Sequence, residues 1–172
     1  AMRAYFIRGE AGRTVLELRE TPMPEPGPGM LRVRVRAAAL NRGEFLGAHA
    51  AARPAGNEAA GEVETTGIGV ESPRPGDRVM GRAAGAFADY ALMAAREAMP
   101  VPVRLSWAEA ASVPLAFMVV HDMLFAQGRL AAGEWLLVTG ISSGVGVASL
   151  LAAKVIGARV IGTSGSADKL QR

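Results

Sequence analysis

From Met2 to about Pro102, apolar and polar residues alternate in short runs: "RAYFIRG", "VLELRE", "LRVRVRA", "AAGEVETTG", "DRVMGRA" and "FADYALM", punctuated by Gly and Pro. Alternation with a period of two is the signature of half-buried strands, so the pattern predicts a small all-β unit. Two connections carry turn chemistry of their own. "TPMPEPGPG" cannot sit inside a sheet, because its prolines bring no N–H to a ladder. Pro75, Gly76 and Asp77 stand where a tight turn before a strand wants them.

At "RLSWAEAASVP" the period changes, and Ser106 followed three residues later by Glu109 predicts a capping box at a helix start. The apolar helical stretch "LAFMVVHDMLFAQG" follows Pro114 and is expected to end near Gly128. Trp135 to Thr139 is a continuous apolar run of strand length, as expected for a strand buried on both faces of a parallel sheet. Small residues from Gly140 to Gly146 then make a turn, Val145 to Ile156 suits a helix, Gly157 its C-cap and "ARVIGT" a second strand. Together these form one βαβ unit of about 30 residues.

A glycine-rich turn between strand and helix lets backbone N–H groups approach a pyrophosphate, whose charge the helix N-terminus also favours. Gly140, Ser143, Gly144, Val145 and Gly146 are the candidate contacts, with Gly144 and Gly146 singled out for close approach. A tight helix-packing turn without ligand is the alternative. The strand before, the helix after and the second strand favour the dinucleotide. At the end of the second strand an NAD-binding unit places Asp or Glu for the ribose 2′-hydroxyl, a carboxylate that would repel a 2′-phosphate. Here the chain has "TSGSADK", where Ser164 and Ser166 offer hydrogen bonds and Lys169 a positive charge, which points to NADPH.

Composition narrows the classes. The chain has 172 residues, half of them apolar and 20% charged, a globular rather than a disordered balance. Its net charge of +3 comes from arginines interleaved with acids, which argues against a nucleic-acid surface. Arg32, Arg34 and Arg36 share one strand face, with no aromatic residue between them for base stacking, and are expected to form a solvated outer face. Cysteine is absent, so disulfides, thiolate chemistry and cysteine-ligated zinc are excluded. No apolar run reaches membrane-spanning length, and a cytoplasmic location is expected.

The ordered series "NRGEF", "GNEAAGEV", "PGDRVMG", "GAFADYA", "AASVPLAF" and "GISSGVGVASLLAAKVIGARVIGT" resembles the medium-chain dehydrogenase/reductase superfamily, in the zinc-free quinone oxidoreductase branch related to zeta-crystallin. The resemblance implies an α/β chain: a GroES-like β-barrel substrate domain over 1–113, then over 114–172 a linker helix and the first βαβ unit of an incomplete Rossmann domain. It implies NADPH in the cleft, a quinone or α,β-unsaturated carbonyl as substrate, and a homodimer. It places Asn41 near nicotinamide and substrate, its amide a candidate donor to charge developing on the carbonyl oxygen. As a residue, Asn41 can equally be a turn amide bonding its own loop. The zinc-dependent branch carries Cys at the place of Asn41 and His at that of Asn57, so the site is expected to be metal-free, with Glu44 retained and Glu58 anchoring loops. Leu46 and Val119 stand where relatives often carry Tyr and Thr, and Ser143 where glycine is common.

His121 is expected to be a packed histidine in its apolar helix, His49 an exposed loop residue and Tyr90 a strand-packing residue. A complete Rossmann fold has two halves and six strands, whereas two strands can be counted from Trp135 onward. The sequence is therefore expected to be the N-terminal part of an NADPH-dependent oxidoreductase, with little catalysis of its own. The alternative is a non-catalytic GroES-like binding or interaction module with a vestigial nucleotide turn.

Overall fold

The computed structural model describes residues 1–46 and 51–171, so His49 lies outside the described residues. The chain divides into two compact units, Ala1–Pro114 and Leu115–Arg172.

The first unit is built from antiparallel strands. β1 (Met2–Glu10) and β2 (Arg13–Thr21) pair along their whole length, from Met2 opposite Thr21 to Glu10 opposite Arg13. The two-residue turn between them, Ala11 and Gly12, has φ of 47° and 75°, the left-handed pair whose twist suits a tight hairpin. β4 (Arg53–Pro54) extends this sheet on the other side of β1. A second sheet runs in the order β7 (Tyr90–Ala94), β3 (Met30–Ala38), β5 (Glu58–Thr66), β6 (Arg78–Arg82), β8 (Met99–Pro100). A bridge between Ala4 and Ala88 and the bond from Tyr5 N–H to the Phe87 carbonyl (2.8 Å) stitch the two sheets together. Every strand-like run of the sequence lies on one of these strands.

Alternation decides which faces are buried. Leu31 and Val33 point inward from β3 to meet Val63, Val79, Ala91 and Met93. The arginines of the same strand point outward, Arg34 and Arg36 exposed as expected and Arg32 half-buried, and each has a partner. Arg32 is held by Glu64 (2.5 Å) and Glu25 (3.1 Å), Arg36 by Glu62 (2.7 Å), and Arg34 lies over the Tyr90 ring. Glu62 and Glu64 sit on the neighbouring strand β5 and Glu25 in the connection before β3, which single-strand periodicity cannot reveal. The turn before β6 closes as anticipated: Gly76 takes φ +92°, and the Asp77 carboxylate accepts from the Arg74 N–H at 2.7 Å.

Helix α1 (Trp107–Ala111) starts with the expected capping box, Ser106 and Glu109 exchanging side-chain bonds with each other's backbone N–H. It presents Ala110 and Ala111 to Ala60, Met80 and Val101, closing a second small core.

In the second unit, α2 (Pro114–Val120) passes into a π-helical segment, His121–Gln127, instead of continuing as one α-helix to Gly128. His121 is exposed there, edge-on to Phe125 at 5.9 Å, which corrects the packed histidine expected from its apolar surroundings. The wider turn rotates the chain between residues 120 and 128, so helical spacing no longer identifies the buried face. β9 (Trp135–Thr139) and β10 (Arg159–Thr163) then pair in parallel, joined by α3 (Gly144–Ile156). Gly157 ends α3 at φ +80°, as its position predicts. The last element is the short helix α4 (Ala167–Leu170).

Candidate functional site

Two groups of residues carry candidate chemistry, one in each unit.

The first lies where the 3-10 helix Arg42–Phe45 meets the start of β5. Glu44 is 5% exposed and Glu58 is 1% exposed, so the fold sinks two carboxyls side by side. Asn41, the residue before the 3-10 helix, reaches both: its Nδ2 donates to Glu58 Oε1 at 2.7 Å and to Glu44 Oε1 at 3.3 Å. The local fold makes this possible, because the Glu44 N–H bonds the Asn41 carbonyl (3.0 Å) and closes the turn with both side chains on one side. Burial pushes the Glu44 carboxyl above its ordinary value, and the charge of Glu58 adds to the push. The amides of Asn41 and Asn57 and the charge of Arg53 oppose it. Glu44 Oε2 is buried and has no hydrogen-bond partner among the described residues. Glu44 was retained by the sequence reading but given no role, since nothing in the linear pattern announces that a charged residue will be buried. Among the described residues no group of three or more His, Cys, Asp or Glu is arranged to hold a metal.

The second group surrounds the glycine-rich turn. The Gly140 and Ile141 N–H groups both bond the Thr163 carbonyl (3.0 Å each), tying the start of the turn to the end of β10. Gly140 has φ +70°, a conformation that side chains resist. Ser143 is the N-cap of α3, its Oγ accepting from the Gly146 N–H at 3.0 Å. Among the described residues no backbone carbonyl takes the N–H of Gly144 or of Val145, so these are the helix's free donors.

The two glycines singled out for close approach have different duties. A Cβ on Gly146 would lie 2.5 Å from the Gly140 oxygen and 2.6 Å from that of Ile141, so Gly146 lets the helix pack on its own turn. A Cβ on Gly144 would meet nothing within 4 Å, so its bareness is not required by the protein's own packing. N–H groups without a backbone acceptor at the start of a helix are the donors a phosphate-sized anion uses.

At the far end of the turn the Ser142 and Ser164 hydroxyls are 3.5 Å apart, and Ser164 Oγ accepts from the Ser166 N–H at 3.4 Å. Ser142 was missed from sequence, where it is one small residue in a small-residue turn; its value appears only when β10 delivers Ser164 beside it. Lys169 is exposed on α4, and the Ser166 side chain, at the N-cap of α4, makes no capping bond. Val119, on α2, is exposed.

Comparison with known proteins shows what the chain is similar to. Residues 27–103 match the alcohol dehydrogenase GroES-like domain. The chain is 39% identical over 170 residues to the spectinabilin polyketide synthase system protein NorB of Streptomyces orinoci, covering 95% of this chain and 8% of that protein. It is 31% identical over 177 residues to the quinone oxidoreductase of Rattus norvegicus, covering 97% of this chain and 54% of the relative, about half its length. Among solved structures, Escherichia coli quinone oxidoreductase complexed with NADPH superimposes with a TM-score of 0.84 at 28% identity, over 99% of this chain and 55% of that one. A mycobacterial protein complexed with NADPH gives a TM-score of 0.89 at 29% identity, over 99% and 55% of the two chains. The strand order, the βαβ unit with its glycine-rich turn and these likenesses converge: the chain belongs to the medium-chain dehydrogenase/reductase superfamily and is similar to its quinone oxidoreductases.

Proposed function

We propose that this chain supplies the substrate-side β-unit and the pyrophosphate-binding turn of a zinc-independent, NADPH-dependent oxidoreductase acting on a quinone or an α,β-unsaturated carbonyl. The observation that carries the reading is the turn itself: no backbone carbonyl among the described residues takes the N–H of Gly144 or Val145, and a Cβ at Gly144 would meet nothing within 4 Å. NADPH, when bound, supplies the hydride. Everything else falls to binding and orientation.

In this reading the N–H groups of Gly144 and Val145 hold the pyrophosphate, and the Ser143 hydroxyl, whose oxygen is used in capping α3, keeps its proton to donate there. Gly140 and Gly146 shape the turn. Ser142, Ser164 and Ser166 meet the 2′-phosphate with hydrogen bonds and Lys169 meets it with charge. Asn41 is the candidate catalytic residue of the β-unit, and Asn57 likewise stands at a place unsuited to zinc. The partners that go with this reading are a small-molecule substrate and a second copy of the protein, in a cytoplasmic setting. No helix among the described residues is long and apolar enough to cross a membrane.

Of the two substrate classes, the unsaturated carbonyl is favoured. Identity is 39% to three polyketide and erythronolide synthase proteins and 31% to the rat quinone oxidoreductase, and that difference is what favours it.

The test is a titration of the chain with NADPH and NADH. NADPH is expected to bind the tighter, Lys169→Ala to reduce that preference, and Gly144→Ala to weaken NADPH by at least about tenfold while the fold persists, since alanine is the better helix former. Unchanged affinity in Gly144→Ala would overturn the assignment. The chain by itself is expected to oxidise NADPH poorly with any quinone, and enzyme-like rates would refute that part.

A further inference from the structure

The contacts of Asn41 decide what kind of group it can recognise. A side-chain amide nitrogen carries two N–H donors and its oxygen is an acceptor only. Here two carboxyl oxygens, from Glu58 and Glu44, lie at 2.7 and 3.3 Å from the one nitrogen. Turning the amide over would set Oδ1 against both carboxyls, so the chemistry of the neighbours fixes which atom is the nitrogen. Both glutamates are buried, so water does not compete for these bonds. Among the described residues no hydrogen bond is made by Asn41 Oδ1, and the residue is half-buried, not enclosed.

We propose that Glu44 and Glu58 are positioning residues that together take both N–H groups of Asn41, so that Asn41 offers a ligand only its carbonyl oxygen. The group it recognises is then a hydrogen-bond donor, a hydroxyl or amide N–H, and not the carbonyl oxygen on which charge develops. This rests on the functional reading above for the presence of a ligand at Asn41, and it reverses the donor role that the sequence suggested. Two consequences follow for specificity. A ligand that presents a hydroxyl at this point gains a bond, and one that presents a carbonyl or ether oxygen meets an acceptor and loses one. The electrophilic carbonyl must find its donor elsewhere.

The chain suits a direct test because it has two asparagines and two glutamines, Asn41, Asn57, Gln127 and Gln171, giving four side-chain amides in a nitrogen-15 spectrum. In the full chain without cofactor, both Asn41 side-chain protons are expected to exchange with water at least about tenfold more slowly than those of exposed Gln171, as bonds to buried acceptors require. Exchange of either proton at the Gln171 rate overturns the proposal. Glu44→Ala is expected to speed one of the two protons and Glu44→Gln, which keeps an oxygen acceptor, to restore protection. If Glu44→Ala leaves both protons protected, Glu44 is not a positioning residue.

The recognition half is tested with a minimal pair of probes on the wild-type chain, phenol as a donor and anisole as its donor-less ether. Phenol is expected to shift the Asn41 signals saturably, with a dissociation constant at least about fivefold below that of anisole, the worth of one hydrogen bond. Equal binding of the two, tighter anisole, or no response to phenol overturns it. Neither arm involves NADPH. Failure of the cofactor assignment would appear as absent NADPH-induced shifts at Gly144, a separate signal.

Discussion

The two units solve the burial problem differently. In the first, the five-stranded sheet and α1 turn apolar residues toward two cores: Leu31, Val33 and Met93 have no exposed surface, and the outward face of β3 is occupied by arginines, two of them paired with glutamates. In the second, one helix covers one face of a two-stranded parallel sheet. Val138 is buried against α3, but on the opposite face Trp135 is 61% and Leu137 63% exposed, with Ile161 beside them. A parallel sheet is a structure for covering on both sides. The lesson is that a continuous apolar run announces a strand made for two-sided burial, whereas the cover itself comes from whatever packs there.

The comparison implies that the first unit holds its own stability and the second contributes less per residue. It is most sharply broken by Leu31→Ala. Removing a fully buried leucine side chain from the larger core should cost about 3 kcal/mol. Each unit has one tryptophan, Trp107 in the first and Trp135 in the second, so chemical denaturation followed by single-tryptophan variants separates them. The transition reported by Trp107 should shift strongly and that of Trp135 little. If both shift together, the units do not unfold independently and the contrast drawn here is wrong.

Next in size is Gly146→Ala. Its Cβ would press on two carbonyl oxygens of the turn, and the overpacking should cost about 1–3 kcal/mol in the second unit. Gly144→Ala, two residues away on the same helix, should cost nothing measurable in thermal unfolding. A comparable loss from both substitutions would mean that the whole turn, and not one glycine in it, is packed against the protein. Smaller again is Leu137→Thr, on the bare face of β9, expected to change stability by less than about 0.5 kcal/mol while lowering self-association seen by light scattering. A loss of several-fold that size would reveal that this face is covered in solution.

How much of this was legible in the sequence follows the range of the interactions. Elements defined by neighbours in the chain were readable: the capping box of Ser106 and Glu109, the C-cap at Gly157 and the turn at Gly76 rest on contacts within a few residues, and the strand runs on a local alternation. What depended on distant segments was not. The pairing of Arg32 with Glu64, the approach of Ser142 to Ser164 and the one-sided cover of β9 each require knowing which strand lies beside which. The candidate site divides along the same line. The glycine-rich turn is local and stands between strand and helix as its pattern predicts, although Ser142 and the separate duties of Gly144 and Gly146 needed β10 and the backbone of Gly140 and Ile141 in place. Asn41 was recognised by family pattern, but its partner Glu58 is seventeen residues away, and the bond that orients the amide could not be read from either residue alone.

The subtlest prediction concerns pH, and it sets the buried carboxyl of the first unit against that unit's surface carboxylates. Asp89 and Glu17 are held below their ordinary values by hydrogen bonds, Asp89 from Arg3 and Glu17 from Arg19 and Arg8. A carboxyl lowered in the folded state binds fewer protons than in the unfolded chain, so its stabilisation is present above the ordinary value and fades as pH falls through the folded one. Glu44 runs the other way. Its folded state holds the proton more tightly than the unfolded chain, so its contribution is fullest below the ordinary value of 4.5 and is lost as pH rises through the raised value. Unfolding of the first unit, followed by Trp107, should therefore lose stability on raising pH just above 4.5, on top of any acid-side loss at lower pH. Glu44→Gln, which cannot ionise, should flatten the high-pH slope and leave the acid side unchanged. An unchanged high-pH slope in that variant would mean that Glu44 ionises in the folded protein as an exposed glutamate does, and that burial beside Glu58 costs its charge nothing.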